Sequence, residues 1–174
     1  MNRPAPADVT VAGTMPESSH GTVLVIVREF AAPRDLVFRA WTEPEHFVRW
    51  FGPHGSTVHD CTLEVRPGGR IHFRHTVPDL GDVWVAGEFL EVVAPERLVF
   101  TAHFSDPSGG VRTRPGFAGE TRIAVLFEAT AAGRTTVTIR QTGLTSDQGE
   151  GRGWQEGLER LGAHLARTIS GTRS

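Results

Sequence analysis

Lysine and tyrosine are both missing from this chain of 174 residues, and together the two absences close off much of enzyme chemistry. All 18 basic residues are arginine, which excludes a phosphate-loop lysine and any Schiff-base or pyridoxal-phosphate mechanism. An acid or base must then be His, Asp, Glu or Cys, unless water or a bound group does the work. Cysteine is nearly absent as well: Cys61 stands alone, so no disulfide can form within the chain, and a reducing cytoplasm is the expected location. Long hydrophobic runs are lacking. The longest, Val23 to Val27, is far too short to span a membrane, and Met1 to Gly21 has no apolar core of the secretory kind, so no membrane insertion is expected. Charge of one sign is lacking too: the formal net charge is −2 and the arginines are scattered, which leaves no basic face for nucleic acid.

What is present is an ordinary globular composition, 39% hydrophobic and 22% charged, in a chain long enough for one domain with a real core. Residues 1–21 are rich in Pro, Gly and Ser and read as a disordered tail, and residues 22–170 read as the domain. Thr22 to Phe30 alternates as a strand with two largely apolar faces, which places it inside a sheet. Pro33 can open a short helix to Trp41. Thr42-Glu43-Pro44-Glu45 has capping-box spacing and predicts a second short helix running to Phe51. Six strands follow, Thr57–Val65, Arg70–Val77, Val83–Val93, Arg97–Phe104, Thr121–Ala129 and Arg134–Thr142, most of them joined by breaks short enough for hairpins. The exception is Ser105 to Gly119, a length typical of lids or mobile loops.

From Asp147 to about Ile169 the period changes. Trp154, Leu158, Leu161 and Leu165 recur at i, i+4, i+7 and i+11, the apolar stripe of a long helix that must bury itself against the sheet. Gly153, Gly157 and Gly162 weaken that helix by roughly 1 kcal/mol each relative to Ala. Either they allow close packing on the sheet, or they keep the helix thin so that a space remains beneath it. The whole predicts an α+β fold, a curved antiparallel seven-stranded sheet around a long C-terminal helix, with two short helices after the first strand.

With these residues in view, the chain resembles the START-like or Bet v 1-like helix-grip superfamily, and within it the family named after the activator of Hsp-90 ATPase. The resemblance is carried by Arg28-Glu29-Phe30-Ala31-Ala32-Pro33 leading into Val37-Phe38-Arg39-Ala40-Trp41-Thr42, by Trp50-Phe51-Gly52-Pro53 and by Arg66-Pro67-Gly68-Gly69. It continues through Gly87-Glu88-Phe89 and Pro95-Glu96-Arg97-Leu98 to Gly153-Trp154 and the leucines after it. It implies a cavity between sheet and long helix of the kind that in relatives holds lipids, polyketides or other apolar molecules. It carries no shared catalytic triad and no cofactor.

The candidate site residues follow from strand and helix phase. His72 and His75, three apart on a strand, point to opposite faces and cannot chelate one ion, so no metal is expected. His75 shares a face with Ile71, Phe73 and Val77, either as a hydrogen-bonded core histidine or as a ligand contact. Arg28 lies on the face of Leu24, Ile26 and Phe30 and needs a partner, Glu128 or a ligand carboxylate. Gln141 offers an amide to a cavity or caps its strand. Trp50, Phe51 and Trp154 close the core, and in a helix-grip reading Trp50, Phe51 and Phe117 also frame the cavity mouth. Phe73 on the strand and Trp154, Gly157, Leu158 and Leu161 on the helix complete the expected ligand contacts. The expected function is binding of a small, mainly apolar molecule (a lipid, polyketide or aromatic metabolite) by a monomer or weak dimer. The alternatives are a cyclase, aromatase or hydrolase in which His75 works with Glu88 or Asp60, and a chaperone-linked module that uses the outer surface.

Overall fold

The computed structural model describes residues 15–16, 22–115, 119–144 and 149–172. Its elements are β1 (Met15–Pro16), β2 (Thr22–Phe30), α1 (Arg34–Thr42), α2 (Pro44–Phe47), β3 (Thr57–Leu63), β4 (Arg70–Val77), β5 (Gly81–Val93), β6 (Arg97–Ser105), β7 (Thr121–Ala131), β8 (Arg134–Leu144) and α3 (Glu150–Gly171). Every pairing is antiparallel, in the order β1-β2-β8-β7-β6-β5-β4-β3. The strands from β3 to β8 are thus a meander, and β2 closes onto the last of them, with Phe30 opposite Thr135. The predicted seven-stranded curved sheet is present, extended by the two residues of β1. The tail expectation falls mostly outside the described residues, of which only Met15 and Pro16, paired with Val23 and Thr22, belong to that segment.

Two local expectations are corrected. β2 lies near the edge of the sheet, because among the described residues its outer side pairs only with those two residues of β1. No capping box forms either: the Thr42 hydroxyl donates back to the Phe38 carbonyl at 3.0 Å, inside α1, and α2 starts after Glu43 without a side-chain cap. A Thr on a helix's last turn has that i−4 carbonyl nearer than the amides ahead, so back-bonding wins. The second helix is accordingly one turn, followed by a hydrogen-bonded turn through Trp50 and Phe51.

The core is one layer between sheet and helices. α1 lays Phe38 edge-on to Phe127 of β7 at 5.3 Å, and Trp41 stacks on Trp154 of α3 at 5.8 Å with 22° between the rings. Toward its C-terminal end α3 sits close on β2, where a Cβ at Gly162 would meet Phe30 at 3.7 Å. Toward its N-terminal end it lies over the curving strands β4 to β6, and there the two layers separate.

Candidate ligand-binding cavity

The separation leaves a cavity of about 330 Å³. Its floor is the inward rows of three strands, Ile71, Phe73, His75 and Val77 of β4, Val83, Val85 and Phe89 of β5, and Leu98, Phe100 and Ala102 of β6. Trp41, Phe47 and Phe51 form one wall, and Gly153, Trp154 and Gly157 of α3 form the roof. Leu80, Gly119 and Gly149 belong to its lining and are exposed, which marks the open end. Phe51, Phe73, His75, Gln141, Trp154 and Gly157, all expected from sequence, come together here. Phe117 lies outside the described residues.

Four expected residues are placed elsewhere. Trp50 is fully buried beneath Trp41 and Phe47, with its Nε1 donating to the Ala40 carbonyl at 2.9 Å, so it holds α1 to the turn after α2 and does not reach the cavity. Leu158 and Leu161 are fully buried core and are not part of the lining. Arg28 lies under Gly162, its guanidinium carbon 5.4 Å above the Phe30 ring, with Nε and Nη1 buried and without hydrogen-bond partners. Glu128 is exposed on β7 opposite Thr136 and makes no pair with it. Burial lowers the Arg28 pKa from its ordinary value, and the opposite charge of Glu159 on α3 partly restores it.

The glycines of α3 divide between the two roles the sequence left open. A Cβ at Gly153 would meet nothing within 4 Å, so this glycine faces empty cavity. A Cβ at Gly157 would sit 3.4 Å from the Gly52 carbonyl oxygen, so at Gly157 α3 is already in contact, with the loop after α2 rather than with the sheet. Gly52 itself has φ +95°, which favours glycine.

That loop is fixed by Arg160, which lies off the Trp154, Leu158, Leu161, Leu165 stripe of α3. The Arg160 guanidinium donates to the carbonyls of Phe51, Gly52 and Pro53 at 3.1 Å each, to Ser56 Oγ at 2.9 Å and to the Ser56 carbonyl at 3.1 Å. One charged fork thereby gathers the orphan acceptors where the chain leaves α2 and ties them to α3. No spacing rule could find it, since donor and acceptors stand 104 to 109 residues apart.

The polar groups of the cavity are few. Trp154 Nε1 donates to Gln141 Oε1 at 2.8 Å, Gln141 Nε2 donates to Thr121 Oγ1 at 3.2 Å, and Thr121 Oγ1 donates to the Ala102 carbonyl at 3.3 Å, a closed chain that fixes the Gln141 amide. His75 is buried, its ring 5.8 Å from that of Phe51, and its Nε2 has no hydrogen-bond partner. Trp41 Nε1 is likewise buried and without one. The predicted carboxylate partners of His75 are not there: Asp60 is ion-paired with Arg74 at 3.1 Å on the outer face, and Glu88 is exposed in an outer groove with Arg70 and Thr101. His72 faces outward too, stacked on Trp84 at 4.8 Å, and no group of three metal-ligating side chains occurs among the described residues.

Burial, and then the charge of Arg160, pull the His75 pKa from 6.5 down to about 4. Because the folded value is the lower one, the unfolded chain takes up the proton first on acidification, and the contribution is present in full above pH 6.5 and lost toward pH 4. At 1.36 kcal/mol per unit the loss is about 3 kcal/mol. His164, whose pKa is lowered by burial and then by His46, Arg167 and Arg49, acts in the same direction. Chemical denaturation across that range should show stability falling toward low pH, with a shallower fall in His75→Leu; equal slopes in the two proteins would refute the assignment.

The sequence profile of activator of Hsp90 ATPase homolog 1-like proteins matches residues 31–170. The chain belongs to this family. Among solved structures, a Nitrosomonas europaea protein is 25% identical at TM-score 0.72, with 89% of this chain and 99% of that one covered. An Arthrobacter aurescens protein is 27% identical at TM-score 0.75, with 91% and 93% covered. The AHSA1 protein from Silicibacter pomeroyi, 20% identical at TM-score 0.70 with 84% and 99% covered, shares the fold. No curated protein matches the chain. Family membership accounts for the helix-grip architecture; function has to be argued from the cavity. No helix among the described residues is long and apolar enough to cross a membrane.

Proposed function

We propose that this protein binds a small, mainly apolar molecule in the cavity between the sheet and the N-terminal half of α3. The observation that carries the reading is the space itself: about 330 Å³ walled by aromatic and aliphatic side chains, kept open where α3 carries glycine at Gly153. Ligand sites have this size and this mixture of apolar wall with a few placed polar groups. A chain that needed only a packed core would gain about 1 kcal/mol of helix propensity from Ala at Gly153, and more by filling the void. The cytoplasm suits such a binder. Burial, and then Glu45, push the Cys61 thiol up to about 12, so it stays protonated and unreactive.

The test fills the space from the helix. An added Cβ at Gly153 meets nothing within 4 Å, so Gly153→Leu should keep or raise the melting temperature while abolishing binding of N-phenyl-1-naphthylamine, a neutral probe whose emission rises in apolar sites. Gly157→Leu, pressed against the Gly52 carbonyl, should instead destabilise the protein by about 1–3 kcal/mol. Unchanged probe binding in Gly153→Leu, or a wild type that binds no probe, would defeat the proposal.

A further inference from the structure

We infer that His46 and His164 form an acid-released latch on the cavity wall: while at most one of the two imidazoles is protonated they hold α2 to α3 through one hydrogen bond, and protonation of both parts them. The inference rests on the ligand-binding reading above and adds a control of that site by pH.

The latch sits where the wall meets the helix. His46 Nδ1 and His164 Nε2 are 2.8 Å apart, with the two rings edge to face at 5.1 Å. His46 is followed by Phe47, which lines the cavity and stacks on Phe51 at 4.5 Å. His164 comes one turn after Arg160 on α3, so both point toward the segment that carries this wall. The Arg160 fork grips that segment beyond α2, at Phe51 to Ser56, and keeps its charge across the range in which histidine titrates. The histidine pair grips it within α2 itself. One attachment is therefore fixed and the other can titrate.

A hydrogen bond between two ring nitrogens needs one N–H and one lone pair. Glu43 Oε2 lies 3.4 Å from His46 Nε2, and its charge favours a proton there; His46 Nδ1 then accepts from His164 Nε2. A first added proton leaves the bond intact, since the imidazolium donates and the neutral ring accepts. A second puts an N–H on both facing nitrogens, and two cations stand where a bond had been. Arg49 in the turn after α2 and Arg167 on α3 add to the repulsion. Against them is the carboxylate of Glu43, whose Oε1 already accepts from Arg39 at 3.2 Å. Glu45 bears instead on Cys61 of β3, and Arg28 of β2 lies under Gly162, on another side of α3. Burial, then His46, Arg167 and Arg49, lower the His164 pKa, so the second proton arrives below the ordinary histidine value. The His46 side chain is 20% exposed, which gives solvent protons access to the pair.

Binding of N-phenyl-1-naphthylamine to the full chain, titrated at about pH 7.5 and about pH 5, reads the control of the cavity. The wild type should bind more weakly at the lower pH by about fivefold or more. His164→Gln, whose amide donates to His46 or accepts from it and never titrates, should bind alike at both. Nitrogen NMR of the histidine rings reads the latch without any ligand: the coupling between the two nitrogens across the hydrogen bond should be present at the higher pH and gone at the lower. Equal wild-type affinities at the two pH values would overturn the control of the cavity. A pH dependence undiminished in His164→Gln would overturn its assignment to this pair. Coupling that survives at the lower pH, or is missing at the higher, would overturn the latch itself, whether or not the variant folds. A wild type that binds no probe at either pH would defeat the ligand-binding reading and the control of the cavity with it, and the ring-nitrogen spectra would then decide the latch alone.

Discussion

Arg160→Met should lower the melting temperature by roughly 10 °C, at about 2–4 °C per kcal/mol for a domain of this size. The substitution keeps most of the stem's packing and removes only the fork. Five hydrogen bonds go with it, and the carbonyls of Phe51, Gly52, Pro53 and Ser56 lose a shared charged donor. Hydrogen bonds to charged groups contribute about 1.5–3 kcal/mol each, but the acceptors here share one donor and water replaces part of it, so a loss of about 3–5 kcal/mol is expected. Arg160→Lys should fall between wild type and Arg160→Met, because an ammonium reaches fewer of the oxygens than a planar fork. Thermal melts followed by circular dichroism decide the matter. A shift of Arg160→Met within about 2 °C of wild type would mean that the loop holds its shape unaided.

Gly52→Ala should be comparably severe, for two separable reasons. The backbone at φ +95° is one that L side chains rarely adopt, which costs roughly 1–2 kcal/mol. The added methyl would overlap His75 Nε2 and stand 2.6 Å from Ser56 Oγ, and overpacking of that kind costs typically 1–3 kcal/mol more. A total of about 2–5 kcal/mol follows. Combining it with His75→Ala tests the division: the double variant should recover the steric share relative to the sum of the single losses and keep the backbone share. Strict additivity in denaturant melts would show that methyl and imidazole never meet.

How much of this could be read from the chain alone depends on the range of each interaction. The strands and α3 were legible, because alternation and the Trp154, Leu158, Leu161, Leu165 stripe are local patterns that burial enforces. Alternation also placed Phe73 and His75 on the cavity floor. Trp50 was misplaced for a local reason, its indole N–H finding the Ala40 carbonyl ten residues back. Arg28 was given an ion pair by the rule that buried charges are paired, yet it lies over the Phe30 ring with Glu159 as its nearest opposing influence. The Arg160 fork, the Gly52–Gly157 contact and the empty space at Gly153 left no local signal. Each depends on where α3 crosses a loop a hundred residues earlier, and sequence phase says which face a residue is on without saying what it meets.

The indoles give the cavity its own optical readout. Trp41, Trp50 and Trp154 form one contact group, Trp41 lying 4.8 Å from Trp50 and 5.8 Å from Trp154, and two of the three line the space. The remaining indole, Trp84, is across the sheet on His72. With no tyrosine anywhere in the chain, near-ultraviolet absorption and intrinsic emission come almost wholly from these four rings. Occupancy of the cavity therefore changes the surroundings of the dominant chromophores directly, while Trp84 remains outside as an internal reference.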